Sequence, residues 1–185
     1  QVMVQKIKEK DAKMYQALLK EQQLLNEQQV MEMKMLAGQI NPHFLYNTLE
    51  SIRMKSLTSG NREVANAIKL LGKSMRYVLE NTGTSLVTLK KELDYVETYL
   101  QIQKIRFGDR VNYRIEVIGT LDLEKYLILP LLLQPVVENA IYHGMAGAED
   151  DGVISVSARR EGDDLLIDVS DNGVGMPPET AASLL

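Results

Sequence analysis

Pro42 interrupts the longest run of helix-forming residues in this sequence, and it stands directly before a histidine. Residues 1–39 hold no proline and a single glycine, and they are rich in Lys, Glu, Gln, Met and Leu, which favour helices. A helix that continued to residue 57 would contain Pro42 in its interior, where a proline costs about 3 kcal/mol and kinks the axis. The sequence therefore predicts a long helix with a kink beside His43.

The first 39 residues also carry a weak heptad repeat, which is typical of a coiled coil. The apolar seam positions are Val4, Ile7, Met14, Leu18 and Leu25, and polar residues at other seam positions, Asp11, Glu21 and Gln28, weaken the frame. A polar helix of this length needs a partner to be stable. We therefore predict that residues 1–39 form a coiled-coil signalling helix in a homodimer, with a solvated single helix as the alternative.

Residues 40–81 have the pattern of two helices joined by a turn at 58–61. In the first helix an apolar stripe should face a core, and this turns His43 about 160° away from Leu45, towards solvent. That stripe contains Leu45, Leu49 and Ile52, and the seam of the second helix contains Val64, Ile68, Leu71, Met75 and Val78. Two such hairpins from a homodimer would close a four-helix bundle.

The second half of the sequence mixes helix and strand patterns. Thr88 is placed to cap a helix over residues 89–107. Alternating apolar and polar residues over 111–117 predict a half-buried strand, and two further alternating segments over 154–169 predict a hairpin. Residues 88–185 are therefore expected to form an α+β domain with an antiparallel sheet.

An apolar segment with two prolines lies between those strands. Pro130 suits the first turn of a helix over residues 131–143, and Pro135 should bend or restart it. Glu138 and Asn139 interrupt the apolar run, and buried polar groups are costly unless they are paired. The amide oxygen of Asn139 suits Mg²⁺ that shares phosphate ligands, while a helix cap is the plainer explanation.

Composition excludes several functions. The net charge of −4, from 21 basic and 25 acidic residues, argues against nucleic acid as a partner. The absence of cysteine removes thiolate metal sites and thiol nucleophiles. No apolar run reaches the roughly 18 residues of a membrane span. Because the sequence opens within a helix pattern, we expect a piece of a longer protein.

His43 and Asn47 lie one helical turn apart within the segment NPHFLYN. A solvent-facing imidazole can act as a base, as a metal ligand or as a nucleophile toward phosphorus. His143 is distant in sequence, and no cluster of metal-ligating residues accompanies either histidine, so a zinc site is disfavoured. A nucleophilic His43 is the sharper hypothesis, and a surface histidine beside a kink is the plainer one.

A third polar segment, DNGVGM, follows the last predicted strand. Asp171 can accept a hydrogen bond from an amino group such as that of adenine, and Gly173 and Gly175 let the backbone approach a flat base. Alone this pattern is weak, because many hairpin turns resemble it.

In this order the three segments resemble the LytS/YesM-type sensor histidine kinases, whose ATP-binding domain has the GHKL fold. NPHFLYN is similar to their phosphoacceptor box, LQPVVENAIYHG to their N box and DNGVGM to their first glycine box. The likeness extends to the segment LQIQKIRFGDR before the first predicted strand. It implies a dimeric phosphotransfer hairpin over residues 40–81 and an ATP-binding α/β sandwich over residues 88–185.

The resemblance also implies the chemistry of the first box. His43 would attack the γ-phosphoryl group of ATP and then pass it to an aspartate in the receiver domain of a response regulator. Asn47 would orient an attacking water in a phosphatase reaction. Glu50 and Met54 follow His43 on its exposed stripe, so we expect them near the regulator, although a solvated helix face explains them equally well.

The other two boxes would form the nucleotide site, which needs ATP and Mg²⁺. Asn139 would hold the Mg²⁺ ion, and Glu138 would orient water or ligands. The remaining cofactor-binding residues would be Asp171, which binds adenine, and Gly173, Gly175 and His143.

Two features depart from the family pattern. Tyr142 stands where many relatives carry a lysine that contacts phosphate. The second glycine box of the family is not found before Leu185, and from this we expect a truncated ATP-binding domain with weak ATP binding and poor autophosphorylation.

Two other classes of function fit the same residues. One is a non-catalytic dimeric scaffold with a degenerate nucleotide domain, and the other is a GHKL-type ATPase that forms no phosphohistidine. The leading expectation, implied by the resemblance, is the cytoplasmic portion of a cell-membrane sensor histidine kinase, which would be attached to the membrane only through upstream segments.

Overall fold

The structure of the chain is a computed structural model. It describes Lys20 and residues 41–81, 83–144, 152–173 and 175, without the side chains of 143 and 144. Apart from Lys20, the predicted coiled coil over residues 1–39 lies outside the described residues. Except for Pro42, the first residue of the first helix, the elements described below lie in the compact unit that begins at His43.

Two helices joined by a tight turn form an antiparallel hairpin. Helix α1 spans Pro42–Thr58, and helix α2 spans Arg62–Asn81. Gly60 in the turn has a φ of 77°, in the left-handed region that glycine adopts readily. The guanidinium of Arg76 lies 4.9 Å from the ring centroid of Tyr46, so residues at similar distances from the turn meet, as in an antiparallel pair.

Pro42 is the first residue of α1, and Asn41 before it is not helical. The predicted kink inside a continuous helix is therefore wrong at this point. The N–H that proline lacks would have no intrahelical partner at this position, and the fixed φ of proline suits the first turn. Pro42 thus begins the helix that carries His43.

The hairpin leaves much of its apolar surface in solvent. Ile52 of the predicted core stripe is 45% exposed, so the single chain does not bury it. Val64 and Leu71 of the predicted seam are 43% and 45% exposed, whereas Ala65 and Leu70 are buried. In a two-helix hairpin each helix covers only the facing side of the other, so apolar side chains on the outer sides remain exposed to solvent.

Helix α3, Leu89–Phe107, is the central element of the remaining structure and packs against α2. As predicted, the Thr88 hydroxyl accepts a hydrogen bond from the backbone N–H of Lys91 and caps the start, and Gly108 ends the helix. The buried face of α3 holds polar residues as well as apolar ones. Its buried residues are Leu89, Glu92, Leu93, Tyr95, Val96, Thr98, Leu100 and Gln103.

Two short strands flank the start of α3. β1, Val87–Thr88, pairs antiparallel with β3, Leu127–Ile128. Neither strand was predicted from the sequence, because a two-residue strand is too short to show alternation of apolar and polar residues.

A three-stranded sheet in the order β2-β4-β5 packs beside α3. β2 spans Val111–Ile118, β4 spans Gly152–Glu161 and β5 spans Asp164–Asp171. The hairpin of β4 and β5 is confirmed, but β2 runs parallel to β4, so the prediction of an antiparallel sheet is wrong for that pair. The connection between β2 and β4 contains a helix and is long enough for the crossover that a parallel pair needs.

The helix in that connection begins later than predicted. Helix α4 spans Gln134–Asn139, and a single π turn, Ala140–Gly144, follows it. Pro130 does not begin the helix; Pro135 lies in its first turn, where proline removes no intrahelical hydrogen bond. Leu131 has a φ of 61°, a strained conformation for a residue other than glycine.

One apolar core joins α3, the sheet and α4. The core residues are Leu89, Leu93, Val96 and Leu100 of α3, Val111, Ile154, Val156 and Ala158 of the sheet, and Leu133, Val137, Ala140 and Ile141 around α4.

Within the described residues, no helix has the length and apolar character to cross a membrane.

Candidate functional site

His43 lies in the first turn of α1 with its imidazole exposed, as the helical geometry predicted. The side-chain amide nitrogen of Asn47 lies 3.3 Å from each of the two ring nitrogens of His43. A neutral imidazole has one acceptor nitrogen, so Asn47 donates to that nitrogen and restrains the ring. Among the described residues, no group of three or more His, Cys, Asp or Glu is placed to hold a metal ion. Because the amide occupies the acceptor nitrogen, this hydrogen bond must break before that nitrogen can react, while the ring itself stays exposed to solvent.

A positively charged groove of about 450 Å³ lies between α1 and α2 and begins beside Asn47. At its edge the Arg53 guanidinium lies 2.5 Å from a carboxylate oxygen of Glu50, and this hydrogen bond lowers the pKa of Glu50 below its ordinary value. Met54 on the same helix is 48% exposed. The other cationic residues that line the groove are Lys69, Lys73 and Arg76.

Asn139 is the last residue of α4 and is exposed, and Glu138 before it is half-buried. The prediction that this pair is buried is therefore wrong, because α4 turns Val137 into the core and the two polar residues away from it. A carboxylate oxygen of Glu138 accepts a hydrogen bond of 2.7 Å from the Gln134 amide. Burial, together with the nearby Glu138 carboxylate, raises the pKa of Tyr99 to about 12.

Asp171 ends β5, and its carboxylate accepts a hydrogen bond of 2.9 Å from the backbone N–H of Gly173. The side-chain oxygen of Asn172 accepts a hydrogen bond of 2.7 Å from the backbone N–H of Val153, which ties this turn to β4. Gly175 has a φ of 70°, and open space lies where a side chain would begin. The turn therefore leaves room for a flat ligand beside its backbone.

The structure brings the second and third motifs into one region. β5, which ends at Asp171, packs against the π turn Ala140–Gly144, which directly follows Asn139. His143 lies in that turn, and its side chain is outside the described part of the chain. The hairpin that carries His43 contacts the α+β part where α2 packs against α3.

Buried polar residues between the hairpin and α4 were not predicted from the sequence. Glu92 of α3 is fully buried and accepts hydrogen bonds from the Tyr77 hydroxyl and from the backbone N–H groups of Leu131 and Leu133. A signal was present, because Glu92 falls on the apolar face of α3, where an acid is costly unless donors surround it.

Two family models match the chain. The model described as "Histidine kinase" matches residues 31–111, and the model described as "Histidine kinase-, DNA gyrase B-, and HSP90-like ATPase" matches residues 125–185. The first range contains His43, and the second contains Asn139 and Asp171.

Curated sensor kinases match across most of the chain. Sensor histidine kinase BtsS of Escherichia coli (strain K12) is 36% identical over 152 residues, which are 82% of this chain and 26% of that protein. Sensor histidine kinase YesM of Bacillus subtilis (strain 168) is 35% identical over 146 residues, 78% of this chain and 25% of that protein. Sensor protein LytS of Oceanobacillus iheyensis is 38% identical, over 78% of this chain and 24% of that protein. The chain thus spans about a quarter of the length of these relatives.

A helical hairpin with an exposed histidine, followed by an ATPase domain of this class, defines a histidine kinase. The α+β fold with a GHKL-class, ATP-binding domain is confirmed. The chain belongs to the LytS/YesM-type sensor histidine kinases, as its three motifs predicted.

Proposed function

We propose that this protein is a two-component sensor histidine kinase in which His43 takes a phosphoryl group from ATP and gives it to an aspartate of a response regulator. The exposed imidazole of His43 supports this most directly, because Asn47 restrains it within the range that matches the histidine kinase model. A nucleophile must be reachable by the nucleotide and afterwards by the regulator, and exposure provides both.

The chemistry consists of two phosphoryl transfers. After its hydrogen bond from Asn47 breaks, the acceptor nitrogen of the His43 ring attacks the γ-phosphorus of ATP; the N–P bond forms, the P–O bond to ADP breaks, and the proton on the other ring nitrogen passes to solvent. A carboxylate oxygen of the regulator then attacks the same phosphorus, and the imidazole leaves. In such reactions the protein contributes positioning and electrostatic stabilisation. Asn47 positions the ring, and in the phosphatase direction it would orient the attacking water.

The nucleotide site in this proposal is built around Asn139 and Asp171. Asn139 is exposed and offers one amide oxygen, which fits a Mg²⁺ ion whose other ligands are phosphates and waters. Glu138 would orient water or ligands there. Asp171 would accept a hydrogen bond from adenine, in a pocket lined by Gly173 and Gly175, with His143 also in the site.

The functional unit is a homodimer in this proposal. Residues 40–81 would pair with the same segment of a second copy in a four-helix bundle, residues 1–39 would form the coiled coil, and residues 88–185 would be the catalytic domain. Three exposed apolar side chains support the bundle, since each is more than two-fifths exposed in the single chain: Ile52, Val64 and Leu71. Covering them removes apolar area from water.

The regulator would dock on the surface that continues from His43 through Glu50 and Met54. We also infer that the chain is the cytoplasmic kinase portion of a cell-membrane sensor. The relatives are named as sensors, and this chain spans only about a quarter of their length.

Incubation with labelled ATP and Mg²⁺ tests the function in the longest natural chain that contains these residues. We expect a label that is acid-labile and alkali-stable and that His43→Ala abolishes. A label that survives His43→Ala rejects His43 as the acceptor. ATP turnover without label indicates a GHKL-type ATPase, and absence of nucleotide binding indicates a scaffold.

A further inference from the structure

The carboxylate of Glu92 joins three separate parts of the molecule. It is fully buried on α3, where a charge is costly unless donors compensate it. One oxygen accepts hydrogen bonds from the Tyr77 hydroxyl of α2 and, at 3.0 Å, from the backbone N–H of Leu131. The other oxygen accepts one at 3.1 Å from the backbone N–H of Leu133. Both oxygens therefore contact donors only, as suits an ionised carboxylate.

The segment that Glu92 holds is strained and leads directly into α4. The positive φ of Leu131 persists only where the surroundings fix it. Leu133 is the N-cap residue of α4 and has no side-chain oxygen with which to cap the helix. Glu92 therefore fixes the point at which α4 begins, and with it the position of Glu138 and Asn139.

A second polar path runs beside the first. The rings of Tyr77 and Tyr95 stack with centroids 4.4 Å apart. The Tyr95 hydroxyl donates a hydrogen bond of 2.8 Å to the Gln134 side-chain oxygen, and the Gln134 amide donates one of 2.7 Å to Glu138. Both paths start at Tyr77 in the hairpin, and they end in α4 or in the segment that leads into it.

We propose that Glu92 is a positioning residue that, through the Tyr77 hydroxyl, sets the hairpin carrying His43 against the helix carrying Asn139. Neither Glu92 nor Tyr77 needs to touch a reacting atom, because Glu92 acts through α4 and Tyr77 acts through α2. The role of this arrangement in phosphoryl transfer rests on the proposed function. The hydrogen bonds of Glu92 and Tyr77 do not depend on that proposal.

The first test is Tyr77→Phe, assayed in the longest natural chain that contains these residues. This change removes only the hydroxyl and keeps the ring stacked on Tyr95, while Glu92 still holds the segment before α4. We expect the rate of His43 phosphorylation at saturating ATP to fall about tenfold, with the KM for ATP unchanged. The matched control is Tyr113→Phe in β2, whose hydroxyl lies outside the two paths, and we expect no change in either constant.

A double-mutant cycle with Glu92→Gln separates positioning from a general loss of stability. In Glu92→Gln the side-chain amide would direct an N–H donor at a backbone N–H, which is also a donor. We therefore expect this change to lower the rate of His43 phosphorylation and to raise the KM for ATP. If the two residues act as one unit, adding Tyr77→Phe to Glu92→Gln has no further effect. Additive effects, or an unchanged rate in Tyr77→Phe alone, overturn the proposal.

Two further readouts keep the test decisive. If Glu92→Gln does not fold, the test rests on Tyr77→Phe alone. Its rate of His43 phosphorylation and its KM for ATP are then compared with those of Tyr113→Phe. Should the unaltered protein form no phosphohistidine, the proposed function fails, and hydrogen exchange then tests the contacts. Glu92→Gln should speed exchange of the Leu131 and Leu133 amides at least tenfold relative to Tyr113→Phe, and unchanged exchange overturns the proposal.

Discussion

At the residue scale, the proposed phosphoacceptor site depends on an imidazole and an amide that are neighbours along a helix. Residues four apart on an α-helix face the same side, so the contact between His43 and Asn47 follows from local geometry once α1 forms. Exposure of the ring follows from the same periodicity. A nucleophile that must meet two different partners in turn benefits from a restraint that leaves one face open.

Asn47→Ala should separate the two reactions at this site. The methyl group cannot orient a water molecule, so we expect dephosphorylation of the regulator to slow about tenfold, while phosphorylation of His43 changes less. The decay of phosphorylated regulator in the presence of each variant measures this. Asn66→Ala, an exposed asparagine of α2, is the control and should leave the decay unchanged. Equal losses in both reactions would contradict the assignment of Asn47.

Tyr99 should make the folded protein sensitive to alkaline pH. Burial and the Glu138 carboxylate raise its pKa from 10.0 to about 12, so the folded state holds the hydroxyl proton more tightly than the unfolded state does. The corresponding stability is complete below pH 10 and is lost as the pH rises through about 12. We expect Tyr99→Phe to flatten the decline of Tm over this range. The control, Tyr113→Phe, should keep the slope of the unaltered protein, and an unchanged slope in Tyr99→Phe would contradict the account.

Features that arise from local geometry were predictable, and contacts with distant partners were not. The exposure of the His43 ring and the helix cap at Thr88 agree with the sequence because both depend on neighbours within four positions along the chain. The backbone partners of Glu92 lie 39 and 41 positions away, so only its place on an apolar face hinted at its burial.

At the element scale, the helices with strong start and stop signals were predicted closely. α3 begins after Thr88 and ends at Gly108, whose φ of 64° a residue with a side chain rarely adopts. α4 was misplaced because two prolines competed for its start, and the outcome depends on Glu92 in another element. The parallel pairing of β2 with β4 was missed because alternation shows that a strand exists and not which neighbour it joins.

Two glycines of the hairpin should respond to alanine with opposite signs. Gly72 lies within α2, and a Cβ there would meet the nearest Leu49 carbon at 3.8 Å, an ordinary contact. Gly72→Ala should therefore raise the free energy of unfolding by about 0.5 to 1 kcal/mol. Gly60 has a φ of 77° in the turn, so Gly60→Ala should lower it by about 1 kcal/mol. Chemical denaturation measures both, and shifts of the same sign would contradict the hairpin geometry.

At the scale of the whole molecule, the single chain has a well-packed α+β part and a hairpin that is only partly covered. The core of α3, the sheet and α4 is buried, whereas α1 contains no buried residue. The four-three spacing of the α2 seam predicted more burial than one chain provides. Such exposure of predicted seam residues is expected in one chain if a second copy covers them in a helical bundle.

Leu71→Lys tests the dimer surface. Placing an ammonium group in an apolar bundle should weaken self-association at least about tenfold. Sedimentation equilibrium over a range of concentrations measures this. Ile105→Lys on α3 changes a side chain of similar exposure, 41%, outside the hairpin, and should leave association unchanged. Equal association constants for the two variants would contradict a bundle built on this seam.

Locating the phosphoryl group on the protein tests the central claim most directly. The chain contains two histidines, one in the hairpin and one after α4, so digestion under alkaline conditions followed by mass spectrometry can distinguish them. After incubation with ATP and Mg²⁺, the account predicts a phosphoryl group on the peptide that contains His43 and none on the peptide that contains His143. Phosphorylation at His143, or of neither peptide while ATP is hydrolysed, would contradict it.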